Sequence, residues 1–201
     1  MTLIIFLITI GVSIIAFSNH QLYQQMLFNP YMVKARNQYH RFLTSGLVHG
    51  DWIHLIINML VFYSFGKNVE AYYQSAFGDQ YIFNFLLLYI GSLVFSDIPS
   101  FMKHQNNPGF NSLGASGAVS ATVFASIVFQ PLSMIYIWGL LPLPAILLGV
   151  LYLVFSAYMA KKGQDNIDHD AHFYGAVYGF VFTILLQPSL GLHFLTKLGI
   201  L

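Results

Sequence analysis

Six apolar runs dominate this 201-residue chain: Leu3–Phe17, Trp52–Phe65, Tyr81–Phe95, Ala115–Phe129, Ala145–Met159 and Phe173–Leu186. A water-soluble domain carries about 25% charged residues. Here the share is 7%, against 57% hydrophobic residues. The runs are therefore expected to be membrane helices, each satisfying its own backbone N–H and C=O groups. Crossing hydrocarbon takes about 20 residues, and several runs fall short. Their ends must carry polar residues into the membrane, or they must start below its surface. The expected fold is an all-α bundle of six transmembrane helices, one domain over residues 1–201. The first 18 residues lack a basic leading region and a small-residue cleavage pattern, so they read as a retained helix.

Composition removes several function classes. A net charge of +1 gives no support for a nucleic-acid partner. The absence of cysteine excludes disulfides, thiolate metal sites and a cysteine nucleophile. No cofactor motif is present, and without His-Glu-x-x-His a metalloprotease is a weak reading.

The connecting segments carry most of the polar residues. His20–Asp51 holds Lys34, Arg36, His40, Arg41 and His49 among aromatics, and is expected to lie at the interface or fold back into the bundle. Gly66–Gln80 reads as a short polar turn, Ser96–Leu113 as an irregular segment, and Lys161–Asp170 as the most charged loop. Gln130–Pro144 has three prolines and no charge, with Pro142 and Pro144 marking the entry to the fifth helix. Pro188 ends the last helix and leaves Gly191–Leu201 as a tail.

The most informative short stretch is Gly114-Ala115-Ser116-Gly117-Ala118, where a loop becomes the fourth helix. Neighbours with little or no side chain leave the Ser116 hydroxyl uncrowded. Its N–H belongs to the unpaired set at a helix start and can donate to a negative oxygen. A nucleophile and one oxyanion donor begin an acyl-transfer site. Alone the pattern is weak, because small residues also serve close helix packing in lipid.

Other polar residues share its level. His54 and Asn58 fall near the start of the second helix, and His172 at the start of the sixth. In an up-and-down bundle the even-numbered helices start on one side, so three segments bring polar groups to one face. Asn58 lies one turn beyond His54 on the same helical face and must find a polar partner or a wet cavity. Its bland alternative is a helix–helix hydrogen bond; that of His54 is an interfacial cap. His172, Gly175 and Gly179 share one helix face, and Ser116, Gly117, Ser120 and Ala121 form a thin stripe on the fourth helix. Close packing of the two stripes would bring the Ser116 hydroxyl to the His172 ring.

These residues resemble the rhomboid family of intramembrane serine proteases, in its compact six-helix bacterial form. Gly114-Ala115-Ser116-Gly117 resembles the nucleophile motif, and His172-Phe-Tyr-Gly175-Ala-Val-Tyr-Gly179 the His-x-x-Gly-x-x-x-Gly helix. His49, His54 and Asn58 resemble the histidines and asparagine of the second helix. His40-Arg41 stands where a Trp-Arg pair is usual, and Glu70 matches an acidic residue after the second helix.

The resemblance implies a short central fourth helix carrying the serine. Ser116 is then the nucleophile and His172 the general base, without an aspartate. The Ser116 N–H, Asn58 amide and His54 imidazole form the oxyanion hole. Gly114, Gly117, Gly175 and Gly179 serve packing. Asp168 and Asp170 are assigned to a solvated loop. Ser120 stands where a tyrosine often stacks on the histidine, so an aromatic from the sixth helix or a loop is expected to substitute.

The expected function is hydrolysis of single-span membrane substrates in a water-accessible cavity within the lipid bilayer, with the fifth helix as gate. The expected address is the bacterial inner membrane. The alternatives are a non-catalytic rhomboid-like protein that binds membrane clients, a polar-lined transporter, and a zinc site built from His49, His54 and His172.

Overall fold

The computed structural model describes the chain from residue 1 to 201 except Trp138, Gln164 and Asn166. Its helices in order are α1 (Thr2–Ser18), α2 (His20–Met26), α3 (Pro30–Arg36), α4 (Arg41–Thr44), α5 (Trp52–Phe77), α6 (Tyr81–His104), α7 (Ser116–Phe129), α8 (Ala145–Lys162), α9 (His169–Leu186) and α10 (Ser189–Lys197). Two short antiparallel strands, β1 (Met134–Ile137) and β2 (Leu141–Pro144), join α7 to α8. Each of the six apolar runs forms a helix.

The bundle is arranged around α7. Its 14 residues rise only about 21 Å. Twelve of them are buried, and α5, α6 and α9 pack against it. The closest approach is between α7 and α9. A Cβ at Gly175 would overlap the Gly117 carbonyl, and one at Gly179 the Ala121 carbonyl. On another side, a Cβ on Gly117 would press on Ser96 of α6. Glycine is required at these positions because backbone meets backbone or a short side chain, and neither can move aside.

Burial is inverted relative to a soluble helix. On α1 the buried residues are Thr2, Thr9, Ser13 and Ala16, while Leu3, Ile4, Leu7 and Ile8 face outward. Polar groups inside and large apolar groups outside are what a lipid solvent selects. Among the described residues, Trp52–His104 and Ala145–Lys162 are long and apolar enough to cross a membrane, and α9 with α10 makes a third such segment if counted as one bent unit. The first stretch contains α5 and α6, reversed at Gly78, whose φ of +55° suits glycine.

The His20–Asp51 link folds back into the bundle as α2, α3 and α4. The Phe28 and Ser112 backbones exchange two hydrogen bonds of 2.9 Å. The buried Arg41 guanidinium donates to the carbonyls of Leu27 at 2.6 Å and Gln24 at 3.1 Å, and to Gln38 at 2.7 Å. Asn29 caps α3 through the Met32 N–H, while its amide reaches Pro108 and Asn111.

Three sequence expectations are corrected. Gly66–Gln80 is not a turn: α5 continues to Phe77, with Tyr73 fully buried and hydrogen-bonded to Thr183 at 2.8 Å. Glu70 lies within this extension, where its carboxylate accepts the Thr2 N–H and pairs with the Met1 amino group at the start of α1. Ser96–Leu113 is irregular only after His104, because α6 runs on through Pro99. Beyond Pro188 the chain turns by 116° into α10 rather than trailing off. There the His193 ring bonds the Phe129 carbonyl at the end of α7, at 3.0 Å.

Candidate active site

The backbone before α7 is shaped by one glycine. Gly114 has φ +105°, a conformation that other residues rarely adopt, and a Cβ there would meet the His54 ring at 2.8 Å. Its N–H donates to the Ser45 carbonyl at 2.9 Å. Ala115 is held by His49, which is fully buried. The Ser13 hydroxyl donates to the Leu47 carbonyl at 2.8 Å and lies 3.0 Å from His49 Nδ1. The Ala115 N–H points at His49 Nε2 at 3.5 Å. This network assigns the proton to Nδ1 and leaves Nε2 as the acceptor. Both His49 nitrogens are thus engaged, which weighs against the three-histidine zinc reading. Among the described residues, no group of three or more metal-ligating side chains converges.

Ser116 follows as the first residue of α7, with its N–H in the unpaired first turn. His54 is placed by the start of α5, where Asp51 caps the helix by accepting the His54 N–H at 2.8 Å. The His54 ring meets His49 edge to face, 5.0 Å between centroids. One turn on, buried Asn58 donates to the His54 carbonyl at 2.9 Å. That bond uses one amide hydrogen and leaves a second donor. His172 sits in the first turn of α9, which Asp168 caps through the Ala171 N–H at 3.1 Å.

One cavity of about 920 Å³ is lined by His54, Asn58, Ser116 and His172 together. Ser116 and His172 are both half-buried, so neither is sealed. Among the described residues no hydrogen bond joins them. Catalytic hydrogen bonds are often long without substrate and tighten in the complex. Beyond these four, the cavity runs along α7 past Val119, Val123 and Ile127 to Ile135 of β1, with Ile53, Ile57, Val61 and Phe65 of α5 on one wall. Behind Ser116 a second space of about 10 Å³ is lined by Ser96, Asp97, Ser112 and Gly117. That is about the size of one water.

Two aspartates expected in a solvated loop behave differently. Asp170 remains near solvent, 3.4 Å from Lys103. Asp168 is a helix cap that lines the cavity and accepts the Ser100 hydroxyl at 2.8 Å. Its carbonyl accepts the His172 N–H at 3.3 Å, but among the described residues its carboxylate makes no hydrogen bond to the His172 ring. His169, inside the Lys161–Asp170 segment expected to be a charged loop, is the buried first residue of α9, and its ring bonds Asp165 at 3.1 Å.

Sequence reasoning missed Tyr152. Its ring lies at 23° to the His172 imidazole, with centroids 6.2 Å apart. Its hydroxyl is 2.6 Å from Ser120 Oγ. The aromatic therefore comes from the fifth long helix, α8, not from the sixth or a loop. A signal was present: Gly149, Tyr152 and Ser156 form the small and polar stripe on an otherwise apolar helix.

A buried, irregular helix start carrying a serine beside a cavity shared with two histidines and an asparagine defines an integral membrane protein of the rhomboid class. The chain belongs to the rhomboid family: the family model described as Rhomboid domain matches residues 36–189. It is 29% identical over 172 residues to RHOMBOID-like protein 12, mitochondrial, of Arabidopsis thaliana, covering 76% of this chain and 49% of that protein. It is also 29% identical over 161 residues to Rhomboid-like protein 11, chloroplastic, of the same plant, covering 74% and 53%. The chain spans about half the length of these curated relatives.

Proposed function

We propose that the protein is an intramembrane serine endopeptidase that cleaves transmembrane segments of single-span proteins. In this reading the bundle has six spans, and residues 1–201 work as one domain with Ser116 on the short central helix. The observation that carries the proposal is the shared cavity: a serine at a helix start and a histidine from another helix both open onto it, beside two further donors. The address in this reading is the bacterial inner membrane, with the chain as a multi-pass protein; the two relatives' names carry mitochondrial and chloroplastic addresses instead.

His172 takes the Ser116 proton as the oxygen attacks the scissile carbonyl. The Ser116 N–H, the free Asn58 amide hydrogen and the His54 ring receive the oxyanion. His172 then gives its proton to the leaving amine. Water, for which the space behind Ser116 has room, attacks the acyl-enzyme with His172 as base and frees the serine. The apolar length of the cavity suits a transmembrane segment and gives little support to a polar transport path.

The test is labelling of Ser116 by a fluorophosphonate probe in detergent, with His172→Ala as control. Labelling of the wild type and its loss in the control is the expected result. Undiminished labelling of His172→Ala would remove the histidine from the role of base. The substrate-free Ser116–His172 pair, without a hydrogen bond among the described residues, is also compatible with a second reading, non-catalytic client binding, which predicts no labelling of either chain. Asn58→Ala is expected to lower the cleavage rate about 10²–10³-fold. An unchanged rate at normal expression would confine Asn58 to packing.

A further inference from the structure

We infer that Tyr152 is the positioning residue for the His172 imidazole, and that it works from α8, so the base is oriented only while α8 is seated against α7. The inference rests on reading Ser116 and His172 as nucleophile and base. The Tyr152 and His172 rings are within the range of offset stacking. The phenol is pinned at its far end by Ser120, one turn after Ser116 on the same helix. Tyr152 thereby bridges the helix of the serine to the ring of the histidine. His172 also meets His169 edge to face, 5.6 Å between centroids, and His169 in turn meets Phe155, also from α8, at 5.7 Å. Both of these ring contacts of the base therefore trace back to α8.

That helix is the least embedded of the long ones. Of its 18 residues only Ala145, Gly149 and Ser156 are buried. The cavity separates it from α5, with Ile57 on one wall and Leu148 on the other. Moving α8 outward widens the cavity and carries Tyr152 off the imidazole. Entry of a wide segment and proton transfer then belong to different positions of one helix, and a bundle held open is chemically idle. This places the ring that sets up the base on the moving wall.

The experiment measures the rate and pH profile of fluorophosphonate labelling at Ser116 in the detergent-solubilised full chain. The probe is small and needs no wide entry. Tyr152→Leu is expected to label about tenfold more slowly, with an altered pH profile, and Tyr152→Phe, which keeps the ring, to stay within about threefold of wild type. Gly149→Val is chosen to press α8 away from α7: it adds a branched side chain whose Cβ alone would meet Ile127 Cδ1 at 2.9 Å and the Phe124 ring at 3.4 Å. It is expected to slow labelling, and combining it with Tyr152→Leu should add little further loss. Thermal midpoints of all variants in the same detergent establish that they are folded. The inference is overturned if Tyr152→Leu labels like wild type with the same pH profile, if Tyr152→Phe is as slow as Tyr152→Leu, or if the two lesions add fully. A wild type that fails to label brings down the nucleophile assignment itself, and this inference with it.

Discussion

Ser116→Ala is expected to abolish cleavage of a model single-span substrate while the chain folds as before. Removing a catalytic serine lowers turnover by about 10⁶-fold in a well-studied soluble protease, so residual cleavage should fall below detection. Stability should hardly change. The Ser116 hydroxyl makes no hydrogen bond among the described residues and opens on the cavity, so its loss leaves no unpaired partner and no new void. The measurement is a gel assay of substrate cleavage beside a thermal melt in detergent. Cleavage retained at even a few per cent with an unchanged melt would mean that another group attacks the bond.

Gly179→Val is expected to be the most damaging single change to the fold. The new Cβ would land on the backbone of Ala121, and no rotamer can relieve a clash with main chain. Overpacking a fitted core costs about 1–3 kcal/mol, and more where the neighbour is fixed. Here α9 would have to move off α7, taking His172 away from Ser116. Both the melting temperature and probe labelling should drop together. Gly11→Ala is the contrasting control, because nothing among the described residues lies within 4 Å of a Cβ there. Mid-helix, it should leave the melt unchanged or raise stability by up to about 1 kcal/mol. Equal melts for the two variants would contradict the close approach.

How much of this was legible in the chain depended on range. The six apolar runs announced their helices, because lipid makes hydrophobic length a local signal. The polar residues at the starts of three helices announced a shared level, since alternation of direction is a topological rule. Their convergence on one cavity is what the structure adds. The extension of α5 was not legible: Lys67 and Glu70 look like a turn until one sees that Glu70 receives the start of α1 and Tyr73 reaches Thr183. Those partners lie far off in sequence. The strands β1 and β2 were hidden by prolines that usually argue against a ladder, yet Pro142 and Pro144 occupy an edge where no N–H is required. Tyr152 was not legible because the expected aromatic belonged to the sixth helix or a loop, and nothing local in the sequence ties α8 to His172. Its partner on α7, Ser120, had looked only like a gap.

The buried His49 link has a consequence for the modularity of the chain. The family model begins at residue 36, after α1 has ended. Yet the polar circuit that fixes the peptide before the serine starts at Ser13, inside α1, and passes through His49 to Ala115. A chimera grafted at residue 36 would sever that circuit, so the leading helix and the family-matched body are coupled parts of one device rather than an anchor and its cargo.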